Sequence, residues 1–140
     1  MGELPGLVGY QLRLTQIAIF RDFNATLGSF DITPGLYGVL EVIATNPGLK
    51  QTQLARAVQL DRSSVVSVID KLESRGLVER RVVAADRRSN ALELTAAGAA
   101  LLAQLRPLVA GHEERLAAGL SARERAALIE LLGRIFPEHR

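Results

Sequence analysis

A single strand–turn–strand pattern in an otherwise helical sequence constrains this chain more than any other feature. Residues 77–84 and 90–94 favour extended backbone on either side of the charged turn Asp86-Arg87-Arg88-Ser89. A solvated turn needs only polarity. This one places two planar, permanently charged donors beside one carboxylate on a protruding finger. The fold class that follows is mainly α with one small β-hairpin.

Start and stop signals punctuate the helices. Residues 4–27 carry apolar side chains on more than one face, the pattern of a helix covered on several sides, in a core or between subunits, and Gly28 ends it. Thr33-Pro34 pairs an N-cap with a proline at the first helical position. The helix it opens (Leu36, Leu40, Ile43) stops at Asn46-Pro47-Gly48. Residues 51–58 make a short helix with Leu54, Ala55 and Val58 inward. Asp61 caps a longer one, whose Val65, Val68, Ile69 and Leu72 fall at helical spacing and which Gly76 closes. Thr95 caps a long helix reaching Gly119, with Pro107 inside it as a kink or irregular turn. Ser121 and Glu124 form a capping box for the last helix, which carries Leu128, Leu131, Leu132, Ile135 and Phe136. No linker, repeat or low-complexity tract divides the 140 residues, so 1–140 is expected to be a single domain. Helix, helix, short helix, capped helix, hairpin, helix, helix is the order of a winged helix-turn-helix with a helical segment at each end.

Composition narrows the function. Apolar residues make up 48% of the chain, which argues against disorder. The longest apolar run, residues 96–103, falls far short of the roughly 20 residues a bilayer requires, so no membrane partner is expected. The N-terminus lacks a basic start followed by an apolar block, so no signal peptide is expected. The sequence contains no cysteine. That excludes disulfides, thiolate metal sites and thiol redox sensing, and it suits a cytoplasmic location. The two imidazoles, His112 and His139, lie far apart in sequence, so neither a metal nor another cofactor is expected. There is no Gly-rich phosphate loop, nucleophile elbow or His-Glu-x-x-His motif, and Ser63-Ser64 has no histidine nearby in sequence. An enzyme is therefore not expected. The net charge is only +2, but residues 50–90 hold nine basic side chains against five acidic ones, and the remainder eight against ten. A basic centre between acidic ends points to a polyanion, although charges scattered on a solvated face would give the same count.

In a helix-turn-helix the second helix enters the major groove with its first residues on base edges. Here that helix opens Asp61-Arg62-Ser63-Ser64. Turning Val65, Val68 and Leu72 inward leaves Arg62, Ser63, Val66, Ser67, Asp70 and Lys71 on the other side. Arg62 suits guanine edges or phosphate, Val66 a thymine methyl, and small hydroxyls permit close approach. The candidate contacts to double-stranded DNA are thus Arg62, Ser63, Ser64, Val66, Ser67 and Lys71, with Gln51 and Thr52 at the start of the short helix. Asp61 suits a cap, one of the two serines is expected to bond the backbone of its own first turn, and Asp70 is expected to pair with a nearby arginine. Asp86, Arg87 and Arg88 complete the set. A finger beside a groove-reading helix reaches the adjacent minor groove, where arginine is favoured. Asp86, two residues before Arg88, can hold its guanidinium by a bidentate pair.

The run LDRSSVVSVIDKLESRGLVERR followed by DRRSNALELT resembles the MarR family of bacterial transcription regulators. ITPGLYGVL at the second helix and LTAAG at the long helix are similar to it as well. The likeness spans nearly the whole chain, and Asp86-x-Arg88 followed by Leu92-x-Leu94-Thr95 is its most specific part. The resemblance implies a homodimer on a pseudo-palindromic operator, usually as a repressor, with Arg88 in the minor groove and Asp86 its support. It divides the chain into a DNA-binding lobe at 33–95 and dimerisation helices at 4–28 and 96–137. Ser67 stands where the family often has a basic residue, and Lys50 where it often has a Ser or Thr cap. The residues themselves also favour pairing, because the terminal helices carry more apolar side chains than one small domain buries on a single face. A symmetric pair would set two recognition helices about one DNA turn apart, roughly 34 Å.

The resemblance further implies a small effector, often an aromatic carboxylic acid, that releases DNA from a site between the dimer helices and the lobe. A CoA thioester is the larger alternative. Tyr10, Arg13, Gln16, Phe20, Tyr37 and His112 are the candidate lining residues, since an arginine with aromatic rings suits a carboxylate on a ring. Phe20 and Tyr37 suit core packing as well. The competing function is a winged-helix protein-interaction module without specific DNA binding. Such modules usually lose the basic wing tip that Arg87 and Arg88 keep here.

Overall fold

The computed structural model describes residues 2–82 and 90–139. The first helix begins later than its apolar pattern suggests. Pro5 and Gly6 make a 3-10 turn (Leu4–Gly6), and extended Leu7 separates it from α1 (Val8–Leu27). Thr33 Oγ1 then accepts from the Leu36 N–H at 3.1 Å, with Pro34 at the first position of α2 (Pro34–Thr45). β1 (Leu49–Lys50) leads directly into α3 (Gln51–Val58). Lys50 has no acceptor to cap α3, and half a capping box replaces it: Gln53 Oε1 accepts from the Lys50 N–H at 3.0 Å.

α4 (Arg62–Ser74) starts at Asp61, whose Oδ1 accepts from the Ser64 N–H at 2.8 Å. It ends before Gly76, where φ of +73° lets the chain leave the helix at little steric cost. β2 (Val78–Arg81) and β3 (Ala91–Leu94) pair antiparallel, with Arg80 opposite Leu92. β1 pairs with the other edge of β3, Leu49 opposite Leu92, so the sheet order is β1-β3-β2. A two-residue strand is too short to leave an alternating pattern, which is why the hairpin alone was legible. The turn with Asp86, Arg87 and Arg88 lies outside the described residues.

Thr95 Oγ1 accepts from the Gly98 N–H at 3.0 Å and opens α5 (Ala96–Leu116), which runs through Pro107 as one helix and stops three residues short of Gly119. Both halves of the Ser121–Glu124 capping box form, at 2.9 and 3.1 Å, and open α6 (Ala122–Arg134). Among the described residues no helix is long and apolar enough to cross a membrane.

The core is concentrated around α2, α3, α4 and the sheet, and α5 covers it with Leu102 and Leu105. α1 adds only Phe23 and Leu27 from its second half, and α6 buries nothing. In consequence Leu7, Val8, Leu14 and Ile17 of the first segment and Ile129, Leu131 and Phe136 of the last stay exposed. Exposed apolar side chains in such number suit a partner-binding face.

α5 meets the sheet at one tight point. Thr95 Oγ1 donates to the Gly76 carbonyl at 2.6 Å, the Thr95 N–H donates to the Leu77 carbonyl at 3.1 Å, and Gly98 packs on the Leu77 backbone. A β-carbon on Gly98 would collide with the Leu77 carbonyl oxygen. Gly38, inside α2, has no atom near the place its β-carbon would take. Alanine is the better helix former, so Gly38→Ala should be neutral to stabilising by up to about 1 kcal/mol. Gly98→Ala should destabilise by about 1–3 kcal/mol through forced displacement of α5. Urea unfolding of the two variants reads the opposite signs.

Candidate nucleic-acid interface

α4 divides cleanly into two sides. Val65, Ile69 and Leu72 are buried, while Arg62, Ser63, Val66, Ser67, Asp70 and Lys71 are exposed and Ser64 is half-buried. Gln51 and Thr52 lie half-buried at the start of the neighbouring α3. The first turn of α4 is held by its cap. Asp61 Oδ1 accepts from the Ser63 hydroxyl as well as from the Ser64 N–H, each at 2.8 Å. Ser63 therefore bonds the capping carboxylate and not, as its residue type suggests, the backbone of its own turn. These bonds, with the Ser64 N–H the largest contributor, hold the Asp61 carboxyl below the usual aspartate range.

The arginines counted in the basic centre fall into two groups. Arg80, on β2, reaches back to α4, with Nη2 2.7 Å from Asp70 and Nη1 3.4 Å from Glu73. It pairs with both carboxylates that would repel phosphate, as expected for Asp70, and offsets one of their two charges. Arg81 bridges Glu79 at 3.3 Å and Glu93 at 2.8 Å, two like charges directly opposite each other on β2 and β3. Arg75 donates from Nη1 and Nη2 to the carbonyls of Asp31 and Phe30, each at 2.9 Å, and ties the end of α4 to the turn between α1 and α2. By contrast Lys50, Arg56, Arg62 and Lys71 meet no acidic partner among the described residues. The uncompensated charge lies on α3, α4 and the residue before α3, the elements that carry the proposed contacts.

The six residues proposed for an effector are carried by α1, α2 and α5. Arg13, Gln16 and Phe20 share one exposed stripe of α1, with half-buried Tyr10 one turn earlier. Tyr37, on α2, stacks edge-on against Phe23 at 6.5 Å, and its hydroxyl donates to Glu41 Oε1 at 2.8 Å. Burial first, then that bond, pushes the Tyr37 phenol up to about 12. Glu41 is in turn held by Arg106 of α5 in a two-point pair at 2.8 and 3.2 Å, and Arg106 keeps its carboxyl below the ordinary range. His112 is buried against the same Phe23, ring to ring at 5.3 Å.

The partners of His112 were not foreseen from the sequence. Its Nδ1 donates to Asp22 Oδ2 at 2.6 Å, and Arg115 donates to the same carboxylate from Nε at 3.0 Å and Nη2 at 2.9 Å. His112 and Arg115 are three apart on α5, so the helix presents both to one residue of α1. That spacing was visible, but nothing in the sequence pointed to Asp22, ninety positions away. Among the described residues no group of histidine and carboxylate side chains could hold a metal ion.

A helix-turn-helix with one uncompensated face and a strand pair beside it defines a winged-helix regulator of the DNA-binding type. A family model described as the MarR family matches residues 30–89. A protein of Thauera aromatica assigned as the transcriptional regulatory protein for the hcr operon is 44% identical over 96% of this chain and 82% of its own. The transcriptional repressor CouR bound to a 23-mer DNA duplex is 40% identical, covers 96% of each chain, and superposes with a TM-score of 0.90. CouR bound to p-coumaroyl-CoA is 37% identical over 97% of this chain and 98% of its own, with a TM-score of 0.85. The chain belongs to the MarR family of transcription regulators.

The Asp22 cluster has a measurable signature. Bonds from Arg115, then from His112, bring the Asp22 carboxyl down to about 2. A carboxyl depressed on folding adds stability above its unfolded value of about 4, and that contribution is lost as the pH falls through the folded value. Asp22→Asn should therefore be less stable than the parent at pH 7, with the gap closing between about pH 4 and pH 2. Urea midpoints across that range check it. A constant gap would show that Asp22 is not paired in solution.

Proposed function

We propose that this regulator is a sequence-specific repressor that binds double-stranded DNA as a homodimer and lets go when a small effector binds. The observation that carries the reading is the face of α4, where Arg62 and Lys71 stand exposed beside Ser67 and without acidic partners among the described residues, while Asp70 and Glu73 are paired with Arg80. The likeness to a repressor solved on a DNA duplex supports it. In this reading Arg62, Ser63, Ser64, Val66, Ser67 and Lys71 approach the major groove, Gln51 and Thr52 the backbone, and Asp86, Arg87 and Arg88 the minor groove. The chain acts as one domain, with 33–95 as the DNA-binding lobe and 4–28 and 96–137 as the dimerisation segments, where the exposed leucines of α1 and α6 become the shared core. The activity is binding, and no catalytic step is assigned to it. The setting is the cytoplasm, where the DNA is.

The effector class is an aromatic carboxylic acid or its CoA thioester. CouR with p-coumaroyl-CoA bound supports the thioester. Tyr10, Arg13, Gln16, Phe20, Tyr37 and His112 are the residues assigned to it, and the pair Glu41–Arg106 would pass the change from α5 to α2.

Selection of bound duplexes from a random pool at physiological salt tests the function. An inverted repeat with half-sites about one helical turn apart is expected. Recovery of no motif from folded protein would favour a protein-interaction module. On the selected duplex, Arg88→Ala should weaken binding by about 1–3 kcal/mol. Lys71→Ala should instead lower the salt dependence of log Kd by about one, as loss of a single phosphate contact does.

A further inference from the structure

Two buried side-chain atoms lack a hydrogen-bond partner among the described residues, and both stand at the root of the hairpin. They are Arg80 Nε on β2 and Asn90 Oδ1, one residue before β3. The first is a donor and the second an acceptor. The strand register brings them to one face. Arg80 stands opposite Leu92, and Asn90 lies two residues before Leu92, so all three side chains project from the same side of the sheet. Leu92 is fully buried there, and Asn90 is only 9% exposed. Arg80 and Asn90 are thus diagonal neighbours, with backbones roughly 7–8 Å apart, a gap that a long side chain spans.

The guanidinium is drawn the other way. Its Nη2 is held by Asp70 at 2.7 Å and its Nη1 by Glu73 at 3.4 Å, both on α4. Asn90 is held at its backbone, where its carbonyl accepts from the Gln51 N–H at 3.3 Å at the start of α3. A buried polar atom without a partner is costly, and native proteins satisfy nearly all of them. Here an unpaired donor and an unpaired acceptor stand within reach of each other, between the hairpin and the two helices that carry the proposed DNA contacts.

We propose that Asn90 is a positioning residue for DNA binding: the Arg80 Nε–H donates to Asn90 Oδ1 when the hairpin meets the duplex, and the free protein keeps that bond open. The inference rests on the DNA-binding reading above and adds a residue that it does not use. Making the bond requires no loss of the contacts to α4, because Nε, Nη1 and Nη2 are separate donors of one planar group. A single guanidinium then joins α4, β2 and the residue leading into β3, and the Asn90 carbonyl extends the connection to α3. A bond made only on the duplex adds to DNA affinity and not to the stability of the free protein. An oxygen merely buried by imperfect packing would be unpaired in both states and would leave affinity unchanged.

The test uses the full chain and the duplex recovered by the selection described above. The Arg80 Nε–H proton signal should move downfield when that duplex is added. It should not move in Asn90→Leu, a substitution of similar size that removes the acceptor. Asn90→Leu should weaken duplex binding about tenfold, the effect of one hydrogen bond from a charged donor. Its urea midpoint without DNA should equal or exceed that of the parent, because an unpaired oxygen has left the interior. Arg80→Lys keeps a positive charge for Asp70 and Glu73 but has no second donor. In that background Asn90→Leu should cost no further duplex affinity. Full affinity in Asn90→Leu overturns the proposal, as does a tenfold loss that persists beside Arg80→Lys, an unmoved Nε–H signal in the parent, or a parallel loss of stability and affinity. Each of those results, with the parent still bound to its duplex, leaves the DNA-binding reading standing. Recovery of no duplex removes that reading and the proposal with it.

Discussion

Burial of one side of α4 governs how the whole molecule presents itself. Val65, Ile69 and Leu72 are enclosed by the core, and enclosing each is worth about 1.5–3 kcal/mol. Because the helix repeats every 3.6 residues, the same burial that fixes those three turns Arg62, Val66, Ser67 and Lys71 outward. Rotating α4 by a single position would bring Arg62 or Val66 toward the core, and a buried unpaired guanidinium is far more costly than a lost methyl contact. Asp61 fixes one end of the helix through Ser63 and Ser64, and Arg75 fixes the other through two backbone carbonyls. The outward face of α4 is thus held by packing on one side and by charged hydrogen bonds at both ends.

Charge is used for two separate purposes. Arg75, Arg80 and Arg81 are spent on the protein itself, on carbonyls, on Asp70 with Glu73, and on Glu79 with Glu93. Exposed pairs of this kind add little stability singly. Their effect is on orientation, since Arg80 joins β2 to α4. Once they are subtracted, a modest formal excess becomes a local one, carried by the side chains that stand in front of the fold.

α5 is the element through which the parts communicate. Arg106 grips Glu41 of α2, and His112 with Arg115 grips Asp22 of α1. Between the two grips run Tyr37 and Phe23, packed edge to face, with Phe23 in turn against His112. α1, α2 and α5 are therefore joined through one connected set of side chains that includes the core residue Phe23. The exposed apolar residues of α1 and α6 lie at the outer end of this system, where a second chain would cover them.

Local signals were enough for most of the fold. Thr33-Pro34, Asp61, Thr95 and Ser121 each cap the helix they promise, because a cap is an interaction between neighbours a few residues apart. The outward face of α4 was legible for the same reason: periodicity alone decides it. What the sequence could not contain was the choice of partner across long separations. β1 was missed because two residues carry no period, and the first helix began late because Pro5 and Gly6 outweighed the apolar pattern. Asp22 with His112 and Arg115, and Glu41 with Arg106, join residues 65 to 93 positions apart. By itself the sequence determined the order of the helices, their caps and the face that α4 turns outward, all consequences of short-range geometry. Only the tertiary structure decided which arginines remain free for a polyanion and which buried polar atoms are left unpaired. Those outcomes depend on which distant side chains the packed helices bring within hydrogen-bonding distance.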